Sequence, residues 1–178
     1  TLLPDAVFEA ITPIWADVDQ DGNDDIITTV SDRNGGARVD VYTVEGTILA
    51  QTSPIGTGFR WRHVIAAANF GPDGAFELVE VVTPHIGGIV QFLRYNAQTN
   101  TLDITARTGG YTSHVIGSPN LDQAIAGDFN GDGTPELVVT TQTRGRLVGL
   151  QQINGDISEV WSIALDAAPV SNFAAVTL

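Results

Sequence analysis

The stretch DVDQDGNDDIIT at positions 17–28 shows that this sequence contains repeats, because related versions of it occur twice more. It returns as NFGPDGAFELVE at positions 69–80 and as DFNGDGTPELVV at positions 128–139. Each version has a polar loop with glycine, followed by a run of apolar and β-branched residues. Successive versions begin 52 and 59 residues apart. Self-similarity at such a spacing is typical of folds that stack one supersecondary unit on the next.

Four short strands can be placed in each repeat. Turn residues separate runs of alternating polar and apolar residues, and Asn154-Gly155 between two such runs is a strong hairpin signal. No segment shows a sustained 3.6-residue apolar period, so the sequence predicts an all-β chain. The predicted strands are residues 12–17, 25–31, 38–44, 47–52, 63–69, 77–83, 89–96, 101–107, 123–128, 136–141, 146–153 and 157–163.

Four antiparallel strands in a repeat of this length predict a blade of a β-propeller. We expect blades at about residues 12–62, 63–121 and 122–169. Residues 170–178 (VSNFAAVTL) resemble the inner strand of a fourth blade. Propellers usually close with about four to eight blades. The prediction for residues 1–178 is therefore a partial propeller, completed by further blades or by another copy of the chain.

The charge balance excludes several classes of partner. The 178 residues include 21 acidic and 8 basic side chains, which gives a formal net charge of -13. Nucleic acid is not expected as a partner, because phosphate binding needs a basic surface. Membrane insertion is not expected either, because no apolar run reaches the about 18 residues that a spanning helix needs. The chain has no cysteine, which excludes disulfides, thiolate zinc sites and cysteine nucleophiles.

The first and third loops have the residue pattern of a calcium site. Carboxylates at alternate positions of a tight loop converge on one point, and a glycine at the sixth position permits the sharp turn. Ca²⁺ prefers six to eight oxygen ligands. The seventh position would supply a backbone carbonyl oxygen, and the ninth would supply the closing carboxylate. The predicted ligands are Asp17, Asp19, Asp21, Asn23 and Asp25 in the first loop and Asp128, Asn130, Asp132, Thr134 and Glu136 in the third.

The same loops admit two other interpretations besides a calcium site. The loops could simply be Asp/Asn/Gly turns that cap hairpins, and this alternative stays open. An EF-hand needs a bidentate Glu at the twelfth position and flanking helices, whereas this chain has Thr28 and Val139 there, within β-type runs. The second loop has Asn69 and Gly71 in place of the first two carboxylates. We therefore expect two Ca²⁺ sites and an empty or weak loop at residues 69–77.

The first and third loops, DVDQDGNDDIIT and DFNGDGTPELVV, resemble the FG-GAP/VCBS repeats of integrin-α-like β-propellers. The resemblance covers nearly the whole chain, with the calcium motif clear in the first and third repeats and degenerate in the second. It implies a propeller whose loops between first and second strands hold Ca²⁺ at one face, while partners tend to bind the opposite face. The ligands of this family vary widely, so the resemblance does not identify a function.

The face opposite the calcium loops would be built from the loops between second and third strands and from the linkers between blades. Half of the basic side chains fall there, together with aromatic ones. Such a face could bind an acidic sugar or a protein carboxylate. Alternatively, the aromatic side chains pack between blades and the arginines are solvated or paired with acids. The candidate ligand-binding residues are Arg33, Arg60, Trp61, His85, Tyr111, His114 and Arg144.

The sequence contains no recognisable catalytic motif. The serines lack a nucleophile-elbow context, and His63, His85 and His114 lack the spacing of a zinc motif. We therefore expect a calcium-stabilised extracellular or cell-surface module that binds a glycan or a protein, and a role other than catalysis is favoured. Calcium is plentiful outside cells, where dissociation constants of about 10⁻⁴–10⁻³ M suffice. The alternatives are an accessory or non-catalytic part of a carbohydrate-active enzyme (a lyase or a hydrolase), and a pure structural scaffold.

Overall fold

A computed structural model describes residues 5–9, 12–58 and 60–176 of the chain. The fold is all-β, with 50% of the residues in strands and 2% in helical turns. Among the described residues the only helical segment is a 3-10 turn at Pro72–Gly74, inside the second of the three repeated loops. The all-β class predicted from the sequence is confirmed.

The described residues contain fourteen strands, which we number in chain order. They are β1 Ala6–Phe8, β2 Ile14–Ala16, β3 Asp25–Asp32, β4 Gly36–Tyr42, β5 Ile48–Gln51, β6 Arg62–Ala68, β7 Glu77–Val82, β8 Ile89–Asn96, β9 Thr101–Gly109, β10 Tyr111–Thr112, β11 Ala124–Gly127, β12 Glu136–Thr141, β13 Arg146–Ile153 and β14 Asp156–Ala164.

Twelve of the strands form three antiparallel meanders of four strands each. The first meander is β2–β5, the second is β6–β9 and the third is β11–β14. All twelve strands predicted from the sequence are present, and their ends differ from the predicted ends by at most two residues. They were predictable because short apolar and β-branched runs bounded by turn residues are visible in the local sequence.

Two short strands, β1 and β10, lie outside the predicted set. β1 pairs with β3 beyond the end of β2, and β10 pairs with β12 beyond the end of β11. They contain three and two residues, which is too short for any periodicity to show in the sequence. Their positions follow from the unpaired backbone groups along the edges of the longer β3 and β12.

The first and second meanders join into one curled sheet. Their outermost strands, β5 and β9, meet as a parallel pair at Gln51 and Thr101. Eight strands of this half-barrel sheet follow the order β1-β3-β4-β5-β9-β8-β7-β6, and β2 pairs with β3 beside this path. The third meander and β10 form a separate sheet.

The second meander is buried on both faces. One face packs against the first meander, where Leu78 and Leu93 share a core with Val41. The other face packs against the third meander, where Phe92 and Leu137 belong to a second core. All six residues of β7 (ELVEVV) are consequently buried. The three meanders are therefore stacked face to face in the order of the sequence.

Residues 170–176 do not form the predicted inner strand, and residues 177–178 lie outside the described part of the chain. Among the described residues the segment has one backbone hydrogen bond, from Phe173 N–H to the Asp122 carbonyl oxygen at 2.9 Å. The side chains of Asn120 and Gln123 donate to its Val170 and Ser171 carbonyl oxygens instead. A strand needs a row of backbone partners, and a single backbone pair does not supply one.

The candidate residues are divided between the two ends of the second meander. The repeated loops join the first strand of each meander to its second strand. Trp61 precedes β6, whereas His85 follows β7, and the pairing of Arg62 with Val82 brings these two positions to the same end. The loop at residues 69–76 therefore lies at one end of β6 and β7, and Trp61 and His85 lie at the other.

Candidate functional site

The first repeated loop folds around the carboxylate of Asp17. This carboxylate accepts hydrogen bonds from the backbone N–H groups of Asp21 and Gly22, both at 2.9 Å. Gly22 has a φ of +94°, a left-handed conformation that favours glycine at this sixth position. One carboxylate oxygen each from Asp17, Asp19 and Asp21 lies within 4.8 Å of the others. The residues therefore fit a hard divalent cation, which prefers converging oxygen ligands.

The closing acid of this loop is Asp25, and its ionised form is disfavoured as long as no cation is bound. It is only 5% exposed, and its Oδ2 accepts one hydrogen bond from Val18 N–H at 3.0 Å. Burial raises the pKa of Asp25, and the negative charges of Asp19, Asp21 and Asp17 raise it further. A bound cation would reverse this effect by stabilising the ionised carboxylates.

Asn23, the predicted source of a backbone carbonyl ligand, also organises the loop through its nitrogen atoms. Its backbone N–H and its Nδ2 donate to Asp21 Oδ1 at 2.8 and 3.0 Å. These bonds position the central carboxylate while leaving the Asn23 carbonyl oxygen out of the network. They are compatible with the predicted role of this carbonyl, which stays a prediction.

The third repeated loop has the same geometry. Asp128 accepts hydrogen bonds from the backbone N–H groups of Gly131 and Gly133 at 2.7 and 2.9 Å. Carboxylate oxygens of Asp128, Asp132 and Glu136 lie within 4.8 Å of one another. Glu136 is fully buried, which is unusual for an acid without a charged partner. This loop, too, fits a divalent cation.

The remaining predicted ligands of the third loop shape its central carboxylate. Asn130 Nδ2 donates to Asp132 Oδ2 at 2.9 Å, and the backbone N–H of Thr134 donates to Asp132 Oδ1 at 2.8 Å. The hydrogen bond from Thr134 N–H, followed by those from Gln151 and Asn130, lowers the pKa of Asp132. Asp132 is therefore held ionised and ready to bind a cation.

The second repeated loop contains a cation supplied by the protein itself. Its closing acid, Glu77, is fully buried, and Arg94 donates to Glu77 Oε1 from Nη2 at 2.6 Å and from Nε at 3.0 Å. The loop lacks carboxylates at its first and third positions, where it has Asn69 and Gly71. The Arg94 guanidinium neutralises Glu77, so the second loop has no comparable need of a metal ion.

One position distinguishes the three loops. It lies on the third strand of each meander, or directly after it, opposite the loop-closing acid in the register of the sheet. Arg94 occupies it in the second meander and Gln151 in the third. Thr43 occupies it in the first, where its Oγ1 is buried and makes no hydrogen bond within the described residues. The closing acid is therefore hydrogen-bonded by a guanidinium in the second meander and by an amide in the third, whereas the Thr43 hydroxyl of the first meander makes no hydrogen bond to it.

Gln151 reaches into the centre of the third loop. Its Nε2 donates to Asp132 Oδ2 at 3.1 Å, to the Thr134 carbonyl oxygen at 3.0 Å and to Glu136 Oε1 at 3.0 Å. These oxygens belong to three of the predicted cation ligands. An amide has an oxygen as well as a nitrogen, so a half-turn of the Gln151 side chain would present Oε1 to a cation.

The seven candidate ligand-binding residues do not all lie together. Arg60, Trp61, His85 and His114 line one cavity of about 360 Å³. Arg144 lines an adjoining cavity together with His85 and His114. The expected single face of seven residues is thus reduced to a pocket of four, with a fifth beside it.

Arg33 and Tyr111 line neither of these two cavities. The Arg33 side chain is 77% exposed, and its nearest acid is Asp5, with Nη2 and Oδ1 4.0 Å apart. The Tyr111 hydroxyl donates to Glu159 Oε1 at 3.0 Å, across to β14. Tyr111 also packs against the core between the second and third meanders, as the alternative interpretation of the aromatic residues allowed, and does not line the pocket.

The pocket is built around a cluster of aromatic rings that meet edge to face or at a tilt. Trp61 lies against His114 with ring centroids 4.8 Å apart and against His85 at 5.7 Å. His85 and His114 are 4.6 Å apart, and His63 adds a third imidazole 5.5 Å from His114. These rings come from β6 and the linker before it, the loop after β7 and the segment after β10, so the stacking of meanders assembles them.

A chain of hydrogen bonds that no sequence motif indicates runs behind the pocket. His63 Nε2 lies 3.4 Å from an Asp122 oxygen, and His63 Nδ1 lies 2.9 Å from Ser113 Oγ. Ser113 Oγ is also 3.1 Å from His114 Nδ1. Ser113 and Asp122 carry no motif, and His63 is fifty or more positions from both, so no sequence spacing could have revealed the chain.

The direction of these hydrogen bonds follows from Asp122. The Asp122 carboxylate can only accept, so His63 Nε2 carries the proton between them. With His63 neutral, its Nδ1 accepts from the Ser113 hydroxyl, and Ser113 Oγ accepts from His114 Nδ1–H. His114 Nε2 is then left as an acceptor, and it has no partner among the described residues.

Burial keeps His114 neutral. The residue is 1% exposed. Burial, reinforced by the nearby His63 and His85, lowers the pKa of His114 to about 3. Burial also lowers the pKa of His85, while the hydrogen bond from His63 lowers the pKa of Asp122. The cluster therefore combines an ionised Asp122 with an uncharged imidazole at the base of the pocket.

The stability of the protein should consequently fall in mild acid because of His114. The unfolded chain takes up a proton on this side chain below about pH 6.5, whereas the folded protein takes it up only near pH 3. Stability is thus lost as the pH falls through this window. At pH 5 the loss from this one site is about 2 kcal/mol.

Replacement of His114 with Gln should remove this contribution. Urea unfolding at pH 7 and pH 5 gives the free energy of unfolding of the wild type and the variant. Between these two pH values, this free energy should fall less in the variant than in the wild type. His85→Gln is the matched control, and it should retain most of the loss. Equal losses in the wild type and in His114→Gln would contradict the assignment.

No protein-family model matches this chain, and no curated protein matches it either. Among the described residues, no helix is long and apolar enough to cross a membrane. The features of this chain that bear on its function are therefore the geometry of its repeated loops and of its aromatic pocket.

Proposed function

We propose that this chain is a segment of a calcium-stabilised β-propeller, similar to those with FG-GAP/VCBS repeats, and that it acts outside the cytoplasm as a binding module for a glycan or a protein. The observation that carries the proposal is the recurrence of one acid-rich loop at the same place in two meanders. In both loops three carboxylates converge. Uncompensated carboxylates at this separation repel one another, and a bound cation would compensate their charge.

The stacking of the meanders supports the propeller architecture. Each meander has four antiparallel strands, and the second packs one face on the first and the other face on the third. On the first meander, Trp15 lies beside Ile26 on the face turned away from the second. Trp15 is 57% exposed, which is unusual for so large an apolar side chain. We expect a further blade, or another copy of the chain, to cover it.

Calcium would have a structural role in this proposal. It would neutralise clustered acids and fix the loop between the first and second strands of a blade. The pocket with Trp61 lies at the opposite end of the second meander, so the metal is not expected to contact a ligand there. Weak sites would suffice outside the cell, where calcium is plentiful.

The hydrogen-bonded chain behind the pocket does not favour a hydrolase. It contains Ser113, His63 and Asp122, which are the residue types of a catalytic triad. Ser113, however, is fully buried and hydrogen-bonds to two imidazoles at once. A nucleophile must reach a substrate carbonyl or phosphoryl group, and a buried hydroxyl does not. These hydrogen bonds are better explained as support for the pocket.

A thermal melt in millimolar calcium and again in excess chelator tests the calcium sites. An ion that binds only the folded state adds about 2.7 kcal/mol of stability when its concentration is about 100 times its dissociation constant. We therefore expect a higher Tm in calcium. Asp21→Ala should lose a large part of this shift, because it deletes a central carboxylate of the first loop.

The matched control is Asp73→Ala, at the same position of the second loop. It should leave the calcium-dependent shift nearly unchanged, because Arg94 already neutralises that loop. Equal shifts in the two variants would refute the ligand assignment, and no shift in the wild type would refute the calcium proposal itself.

A further inference from the structure

The cavity beside Trp61 has the features of a small-molecule site. Its volume of about 360 Å³ lies within the range of ligand pockets. The walls are mainly apolar and aromatic, with a few polar side chains at the edge. We call it the Trp61 pocket, and it is defined by Glu9, Arg60, Trp61, His85, His114 and Ile116.

The charges at the pocket are balanced but not paired with each other. Arg60 Nη1 donates to the Ile55 carbonyl oxygen at 2.7 Å, and Glu9 Oε2 accepts from the Ser31 hydroxyl at 2.6 Å. Within the described residues no ion pair joins Arg60 to Glu9. One positive and one negative group therefore face the same cavity, a combination that suits a neutral ligand with both donors and acceptors.

Trp61 offers a fixed aromatic surface. His114 supports it edge to face at 70°, and the ring of His85 lies beside it at a tilt of 31°. The negative face of an indole attracts the weakly positive C–H groups of a ligand. A pyranose ring has such a C–H face and a rim of hydroxyl groups, so it matches an aromatic surface edged by polar side chains.

Two ring nitrogens in the wall lack partners. His85 Nδ1 and His114 Nε2 are buried and make no hydrogen bond within the described residues. Leaving a buried polar atom unpaired costs about 1–3 kcal/mol, so such atoms call for a partner. A ligand hydroxyl can donate to an unprotonated imidazole nitrogen. His114 is held by its hydrogen bond with Ser113, so His85 Nδ1 is the nitrogen that a small rotation of its own ring can bring to the cavity.

We infer that the Trp61 pocket binds a single neutral sugar residue, with its C–H face on Trp61 and its hydroxyls directed to Arg60, Glu9 and His85 Nδ1. This inference rests on the proposed binding function and narrows it to carbohydrate. It also replaces the expectation of an acidic sugar, because Glu9 would repel a carboxylate and offset the attraction of Arg60.

The test uses the full chain in millimolar calcium with methyl glycosides of glucose, galactose, mannose and N-acetylglucosamine. Glucuronic acid and a random peptide library serve as the competing ligand classes. Saturation-transfer NMR and tryptophan fluorescence report binding. We expect at least one neutral glycoside to bind, and Trp61→Ala to weaken that binding tenfold or more.

Two further variants separate the pocket from general effects on the fold. Trp61→Phe keeps an aromatic surface and should retain most of the binding. Trp15→Ala removes an exposed tryptophan that does not line the pocket, and should leave binding unchanged. Equal loss of binding in Trp15→Ala and Trp61→Ala would overturn the assignment of the site.

The ligand class has its own decisive outcomes. Tighter binding of glucuronic acid than of its neutral counterparts would overturn the argument from balanced charges. Binding of peptides but of no glycoside, or of no probe at all, would overturn the assignment to sugar. A calcium-dependent Tm measured in the same samples tests the proposed function separately, because it can persist when sugar binding is absent.

Discussion

Replacing Arg62 with Met is expected to lower the free energy of unfolding by about 3–5 kcal/mol, because the change leaves a buried carboxylate without its partner. The side chains of Arg62 and Glu80 are 3% and 0% exposed. Arg62 donates to both oxygens of Glu80, from Nε to Oε2 at 2.9 Å and from Nη2 to Oε1. It also donates to Thr52 Oγ1 at 2.8 Å, which ties the second meander to the first.

Urea unfolding measures this loss, and two further variants identify its cause. Arg62→Met combined with Glu80→Leu should recover much of the stability, because apolar residues of similar volume can replace a buried ion pair at little cost. Arg146→Met breaks a pair with Glu159 whose side chains are 44% and 31% exposed, and should cost no more than about 1 kcal/mol. Equal losses from Arg62→Met and Arg146→Met would show that burial does not control the effect.

Replacing Arg94 with Gln is expected to cost about 3 kcal/mol, the lower end of the range for a broken buried pair. Glu77 is fully buried, but the Arg94 side chain is 43% exposed, so water can partly compensate for the lost guanidinium. Because the second loop has no carboxylate at its first position, calcium should restore little of this stability.

The combination of Asn69→Asp with Arg94→Gln should change that result. It would give the second loop the acids of the third at the first, fifth and ninth positions, with a glutamine opposite the closing acid. We expect this double variant to regain stability in millimolar calcium but not in chelator. Unfolding in both media measures the difference. A calcium response equal to that of Arg94→Gln alone would mean that Arg94 does not stand in for a metal ion.

The strands of the meanders were predictable from the sequence because their information is local. The run at β7 (ELVEVV), for example, shows its buried character directly, and β8, β12 and β13 have the predicted ends. Such short apolar and β-branched runs, with the turn residues that bound them, lie within a single repeat. The acid-rich loops were recognisable for the same reason, since all their carboxylates lie within nine consecutive residues.

The positions that the sequence analysis missed depend on contacts between distant segments. β1 and β10 are strands only because β3 and β12 offer them an edge. Residues 170–176 have strand-like composition but only one backbone partner among the described residues. The chain from Asp122 to His114 joins residues of different repeats, and no single repeat contains its pattern.

The all-β class, the three repeats and the two loops in which acids converge were thus predictable from the sequence, because period and loop chemistry act over a few neighbouring residues. Which side chains meet depends on the tertiary packing. The packing places Arg94 against Glu77, and it gathers Trp61, His85 and His114 into one pocket that Arg33 and Tyr111 do not line. Stacking three meanders face to face brings together residues that lie tens of positions apart, and no local pattern encodes those contacts.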